Sequence, residues 1–342
     1  MGKIVKIPCI IGNFTTDATQ ENRFGREKVI DRTVTVISLS YNSDNLLRSV
    51  ESVIHQSYPD IEYIIIDDGS DSFDKNAISE YVNANKSSSI KKFRILCNEK
   101  NMGTVYTLNR AIKESSGRYI FNLGGDDRFH DNDVISDWTD FFDRTGALVS
   151  TASMAVYRNN EYMWQQPSEK QIEQIKTFTP AQLFDSIMVC NYIFGCCTAR
   201  SRACVEKYGL FDERYRYIED HPMNLRLLRN GVKFHFFDRT VVDYTTGGIS
   251  SPTTHNELFD KDVDEIFKNE VFPYSASQKK ALRDFKRFKK EKRNIAALHK
   301  YTERLNRCKG NAVKTAAVKI THYITHPSDI VRRLTRHGDD AL

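Results

Sequence analysis

The chain has 342 residues, enough for one large domain or two ordinary ones, with 40% hydrophobic and 28% charged residues. No apolar run approaches the ~20 residues of a membrane span and the N-terminus has no signal-peptide apolar core, which sets aside an integral membrane protein. The net charge of +5 hides an asymmetry, because from Ser275 onward 18 Lys and Arg face 6 Asp and Glu while the preceding part carries 32 against 39.

Residues 1–32 are mixed and weakly patterned, and read as a loosely attached extension. Thr33–Leu39 is the first convincing strand, β-branched and mostly apolar, ending in Ser40-Tyr41-Asn42. Ser43 or Asp44 is placed to cap a helix whose Leu46, Leu47, Val50, Val53 and Ile54 recur at helical spacing. Ile61–Ile66 is a second strand, and it runs into Asp67-Asp68-Gly69-Ser70. Helix is expected over Asp74–Asn85 and Thr104–Ser115, and strand over Phe93–Cys97 and Arg118–Leu123. This alternation with short links implies a parallel, doubly wound α/β sheet.

Ligands of such sheets bind at the carboxyl ends of the strands. Asp67 and Asp68 stand there, and carboxylates suit the hydroxyl and N–H groups of a ribose or a base edge. The plain alternative is an acidic turn that only caps the next helix. A second acidic strand end, Gly124-Gly125-Asp126-Asp127, changes the balance. Paired carboxylates on one edge offer hard oxygens to Mg²⁺ or Mn²⁺, typically shared with substrate phosphates.

Four segments between about Thr33 and Ser251 together resemble a family-2 glycosyltransferase of the GT-A nucleotide-sugar-binding fold. They are Thr35–Asn42, then Ile66–Ser70, then Asn101-Met102-Gly103 with Leu108–Ile112, then Gly117–Ile120 leading to Asp126-Asp127. The resemblance implies that Ser40, Tyr41, Asp67 and Asp68 hold the nucleoside, with Asn101, Gly103 and Asn109 also on the donor side. It implies that Asp126 and Asp127 hold Mn²⁺ or Mg²⁺ on the donor diphosphate. One departure is Gly124, where relatives often carry Asp.

In the second half, helix is expected over Val134–Phe142, strand over Ala147–Val156, and a mobile polar excursion over Tyr157–Thr179. Pro180–Cys190 reads as helix, followed by an apolar segment, Asn191–Ala199, which holds Cys196-Cys197. The seven cysteines include no Cys-x-x-Cys pair and read as free thiols of a reducing cytosol. A helix runs from Pro222 to a stop at Gly231, and Val232–Phe237 and Val241–Tyr244 read as two late strands. Asp220, just before that helix, is by position an N-cap. The resemblance implies more: Asp220 as the general base on the acceptor hydroxyl, with Glu219 second. His221 beside it is a weaker candidate for phosphate or acceptor contact, a lone His being more often structural. Gly247–Ser251 is similar to a loop near the donor diphosphate in relatives, which points to Gly248 and Ser250.

From Ser275 cations interleave with Leu282, Phe285, Phe288 and Ile295, a pattern suited to an anionic membrane surface or to helices folded on the body. Val313–Ile324 repeats it weakly, and aromatic residues are too few for a nucleic-acid platform. The expected organisation is an extension (1–32), a GT-A domain (33–255, nucleotide half 33–130 and acceptor half 131–255) and a basic helical region (256–342). The expected activity is metal-dependent, inverting transfer from a nucleotide-diphosphate sugar, a UDP-sugar by the resemblance. The resemblance implies an acceptor that is a glycan or lipid-linked oligosaccharide of a bacterial surface polysaccharide, and with the basic tail it points to the cytoplasmic face of the plasma membrane. A nucleotidyltransferase and a non-catalytic binding scaffold are the rivals. The first would show a Gly-rich, Lys- or Arg-bearing loop where Ser40–Ser43 stands.

Overall fold

The structure, a computed structural model, describes residues 32–158, 160–246 and 256–307. The chain divides into Met1–Asp31 and Arg32–Leu342, and the described residues belong to the second unit. The expected extension up to Asp31, the loop with Gly248 and Ser250, and the stretch Val313–Ile324 lie outside the described residues.

Strands and helices alternate through the first half. They are β1 (Val34–Ser40), α1 (Leu46–Ile54), β2 (Ile61–Asp67), α2 (Lys75–Asn85), β3 (Ile90–Cys97), α3 (Thr104–Lys113) and β4 (Tyr119–Gly124). β2 is apolar almost throughout because it is covered on both faces. Ile61, Tyr63 and Ile65 pack with α1 and α2, while Ile64 and Ile66 pack with α3. Leaving water stabilises the fold by about 2 kcal/mol for each such Ile.

The second half adds β5 (Arg128–Phe129), α4 (Val134–Thr145), β6 (Val149–Arg158), β7 (Glu161–Gln166), α5 (Glu169–Thr177) and α6 (Pro180–Ile187). It continues with β8 (Thr198–Ser201), α7 (Arg202–Tyr208), α8 (Asp220–Arg229) and β9 (His235–Thr245). Among the described residues, nine strands form one sheet in the order β3-β2-β1-β4-β8-β6-β9-β5, with β7 added on β6. β1 to β4 pair in parallel, as the alternation implied. Beyond them the sheet is mixed: β8 runs antiparallel to β4 and β6, and β9 runs parallel to β6.

Two expectations are corrected. The polar stretch 157–179 is ordered as β7 and α5 rather than a mobile excursion. Its sequence hides this because β7 is exposed along nearly its whole length and α5 buries only Ile175. The two late strands are one, β9. Its polar Asp238-Arg239 falls in a register shift against β6, where Asp238 pairs with Lys176 and Arg239 with Asp131, so the strand continues through it.

Beyond β9, α9 (Glu257–Ile266) leads through a π-helical turn to the long α10 (Gln278–Arg307). The inward face of α10 packs on the body. Phe285 stacks on Phe267 at 3.9 Å, and Lys289 and Lys292 pair with Asp264 (2.6 Å) and Asp260 (2.7 Å). Of the apolar residues expected to face lipid, Phe285 packs on the body while Leu282 and Ile295 stay exposed, as do Lys279, Lys280, Lys286 and Lys290. No helix of the described residues is long and apolar enough to cross a membrane.

Candidate active site

Ser40 lies opposite Asp67 in the β1–β2 register, and Leu39 lies opposite Gly124 in the β1–β4 register. The carboxyl ends of three neighbouring strands thus bring Ser40-Tyr41-Asn42, Asp67-Asp68 and Gly124–Asp127 to one edge. Backbone bonds lace them together, Gly125 N–H to Leu39 O (2.7 Å) and Asp68 N–H to Ser40 O (2.8 Å). Asn42 also exchanges hydrogen bonds with Ser70 and Asp71. Tyr41 is left exposed at the rim and Ser40 is buried beneath it.

The two acids after β2 are engaged differently. Asp67 accepts from the Ser70 hydroxyl (2.5 Å) and N–H (2.9 Å), one bond to each oxygen, which leaves further lone pairs. Asp68 Oδ1 accepts from Asn98 Nδ2 (2.7 Å), Met102 N–H (2.8 Å) and Thr107 Oγ1 (2.7 Å), and its Oδ2 accepts from Gly103 N–H (2.8 Å). The Asp68 carboxylate is committed within the protein, and it shapes the loop 98–103 that carries Asn101. Asn109 is likewise engaged internally, its amide bonded to Phe211 and Glu213.

Ser43 does not cap α1. Its hydroxyl lies 2.5 Å from Asp126 Oδ1 and 2.9 Å from Gly125 O, joining the loop after β1 to the second acidic pair. Asp127 is buried, and its Oδ1 accepts from Thr245 N–H (3.0 Å) at the end of β9. Burial, with the neighbouring Asp126 charge, pushes its carboxyl up to about 7. A Cβ at position 124 would stand 2.8 Å from Asp127 Oδ2, so an acid there would crowd it, and Gly124 keeps that oxygen approachable.

Asp126 and Asp127 fit a hard divalent cation, which would relieve the cost of ionising Asp127. Among the described residues no group of three or more His, Cys, Asp or Glu is placed to hold a metal alone. A cation at this pair therefore needs ligand oxygens, as a diphosphate offers.

Asp220 is the first residue of α8. Its Oδ1 accepts from His221 N–H (2.6 Å), and its Oδ2 from Asn191 Nδ2 (3.0 Å) and Gly195 N–H (3.1 Å). Burial raises its pKa against these donors, which favour the charged form. Glu219 is also raised, by burial and by the Asp220 charge. The buried Arg200 guanidinium lies near both and offsets part of their repulsion. Glu219 fits because residue 195 is glycine; a Cβ there would be 2.3 Å from Glu219 Oε1. The His221 ring faces inward, Nε2–H donating to Ile187 O (2.9 Å), and burial holds its pKa down to about 4. It is neutral at physiological pH.

Cys196 lies in the short helical turn Gly195–Cys197. Its thiol is raised by Cys197 and burial, then by the charges of both Asp127 and Asp220, and it sits 4.0 Å from Met154 Sδ of β6. The charges of the acid beyond β4 and of the acid opening α8 thus both act on one thiol. The Arg216 guanidinium reaches Asn101 O (2.7 Å) and Oδ1 (2.8 Å). Sequence reasoning did not find Ser43, Thr245, Gly195, Arg200 or Arg216 for this site. Of these, only Arg200 left a signal, as a lone cation ending an apolar segment.

The sequence model described as glycosyl transferase family 2 matches residues 35–209. An uncharacterized glycosyltransferase of Rickettsia bellii is 36% identical over 113 residues, 32% of this chain and 15% of that protein. The Bacillus subtilis glycosyltransferase TuaG, named for teichuronic acid biosynthesis, is 26% identical over 48% of this chain and 60% of its own length. This chain thus spans less than two thirds of either relative. WfaP of Escherichia coli, a UDP-Glc:alpha-D-GlcNAc-diphosphoundecaprenol beta-1,3-glucosyltransferase, is 29% identical over 58% of this chain and 72% of its own. Among solved structures, S. aureus TarS 1–349 with UDP-GlcNAc superposes with a TM-score of 0.53 at 16% identity, covering 74% of this chain and 71% of that one. GalNAc-T7 with UDP, GalNAc and Mn²⁺ gives 0.51 at 14%, covering 70% and 48%. At such identity these two likenesses speak for the fold.

Proposed function

The chain belongs to glycosyl transferase family 2, and from that premise we propose that it transfers a sugar, with inversion, from a UDP-sugar to a hydroxyl of a glycan or lipid-linked oligosaccharide. The observation that carries this is the alignment of the carboxyl ends of β1, β2 and β4, which brings Asp67, Asp126 and Asp127 to one edge of the sheet. Asp67, with unused acceptor capacity, and Tyr41 at the rim hold the nucleoside, and Asp68 keeps the Asn101 loop in shape. Asp126 and Asp127 hold Mn²⁺ or Mg²⁺. That cation supplies charge neutralisation to the departing diphosphate.

Asp220 accepts the proton of the attacking hydroxyl. Its raised pKa suits a base, and amide donors fix the direction of its oxygens. Transfer that inverts needs one such group, on the side opposite the leaving diphosphate. Relatives named for teichuronic acid biosynthesis and for a diphosphoundecaprenol acceptor support a role in bacterial surface polysaccharide assembly. Such an acceptor suits a peripheral place on the inner membrane face, with the exposed cations of α10 toward anionic lipid.

The test is turnover of a panel of nucleotide sugars by purified protein with Mn²⁺, with and without lipid-diphosphate-linked sugars. Release of UDP from one donor, increased by acceptor, supports the proposal. Donor binding without turnover of any of them would leave a binding scaffold instead.

A further inference from the structure

Asp262 on α9 lies outside the residues that the family's sequence model matches, yet it touches the segment that leads into Asp220. One of its oxygens, Oδ2, accepts three consecutive backbone N–H groups, from Arg216 (2.9 Å), Tyr217 (2.6 Å) and Ile218 (3.3 Å). Asp262 is 4% exposed and, among the described residues, forms no salt bridge. Among the described residues its partners are main-chain amides alone, and a buried carboxylate so satisfied is costly to place and holds those amides in a fixed concave arrangement. It sits where α9, capped by Asn256, turns the Asp262–Ile266 face toward the body, at a position where an apolar residue would ordinarily serve.

The clamped segment leads two ways. Two residues beyond Ile218 is Asp220. Arg216 itself donates to Asn101 on the donor side, and its carbonyl accepts Val105 N–H (3.2 Å) at the start of α3. The same C-terminal region supplies a second buried acid, Glu270, which binds Arg214 (2.6 Å) and Tyr215 (3.1 Å) before the segment and Arg229 (2.6 Å) at the far end of α8. Both ends of the helix that carries Asp220 are thus tied to α9 and the turn that follows it.

We propose that Asp262 is a positioning residue for the transfer: through the amides of Arg216–Ile218 it sets the Asp220 carboxylate and the Asn101 loop relative to each other. The proposal rests on the glycosyltransferase reading above. Misplacing a reacting group by about an ångström costs on the order of 100-fold in rate, so a clamp of this kind acts on kcat.

The test compares Asp262→Asn, Asp262→Glu and Asp262→Ala by kcat at saturating donor and acceptor, UDP affinity by calorimetry, thermal unfolding, and hydrogen exchange of the 216–218 amides. Asn keeps an acceptor oxygen in place, so kcat should stay within about threefold of wild type. Glu moves that oxygen by a methylene and Ala removes it, and both should lower kcat at least tenfold in folded protein. The wild-type amides should exchange as slowly as those of α8. Folded Glu or Ala variants with wild-type kcat would overturn the proposal, as would wild-type amides exchanging at loop rates. Failure of all three variants to fold would make Asp262 a folding determinant instead, and equally overturn it. If wild type turns over no nucleotide sugar, the functional reading fails, while the exchange result still reports on the clamp itself.

Discussion

At the scale of single residues, the surroundings of Glu219 and Asp220 distinguish the proposed base from its neighbour. Both carboxyls are raised by burial, but only Asp220 receives N–H donors from Asn191, Gly195 and His221, which stabilise its ionised form. Of the two adjacent buried carboxyls, Asp220 is the one whose ionised form its surroundings favour. Asp220→Asn should lower kcat by about 10²- to 10⁴-fold with UDP binding intact, whereas Glu219→Gln should hold kcat within a few-fold at neutral pH. Reversal of those two results in steady-state kinetics would exchange the roles. Gly195→Ala tests the same geometry from below. The added Cβ meets the mobile end of Glu219, so stability should move by less than about 1 kcal/mol while kcat drops.

His221 makes a prediction about stability and pH. Its folded pKa, about 4, lies below the ordinary 6.5, so between those values the unfolded chain binds a proton that the folded chain refuses. The contribution is present above the ordinary value and is lost as pH falls toward the folded one. In His221→Gln, whose amide can still donate to Ile187 O, the gap between Tm near neutrality and Tm near the folded pKa should narrow. A gap as wide as wild type would remove His221 as its source.

At the scale of elements, α10 carries more of its interactions inward than its sequence suggests. Phe285 stacked on Phe267 and the Lys289 and Lys292 ion pairs hold it against α9. The ion pairs are partly exposed and add little, so the ring contact dominates. Phe285→Ala should weaken docking by about 2 kcal/mol, read as faster limited proteolysis within α10. Unchanged cleavage would mean that the ring contact is dispensable. β7 and α5 make the opposite point. A helix burying one side chain and a strand exposed nearly throughout carry almost no apolar period, so composition reads them as loop.

At the scale of the whole molecule, charge is segregated, and the lysines of α10 that face outward make no salt bridge among the described residues. Binding to anionic vesicles should be electrostatic, lost at high salt and on replacing Lys279, Lys280, Lys286 and Lys290 by Ala, with transfer to a soluble acceptor retained. Salt-insensitive binding would point to apolar insertion instead. Four parallel strands, the helices between them and the acids at their ends were legible because each follows from local pattern: β-branched runs, helical spacing, and turns that must fall at strand ends. What the sequence could not disclose is how many hydrogen bonds each acid receives from the protein. Asp67 and Asp68 are neighbours of one type, yet only the folded chain brings Asn98, Met102, Gly103 and Thr107 around the second. Likewise Thr245 on Asp127, Gly195 under Glu219 and Asp262 beneath Arg216–Ile218 are contacts across long separations in the chain. Local sequence determines where strands end and which chemistry they carry. Burial and hydrogen-bond saturation depend on what the fold packs beside each group, so only the tertiary structure decided which carboxylates are saturated within the protein.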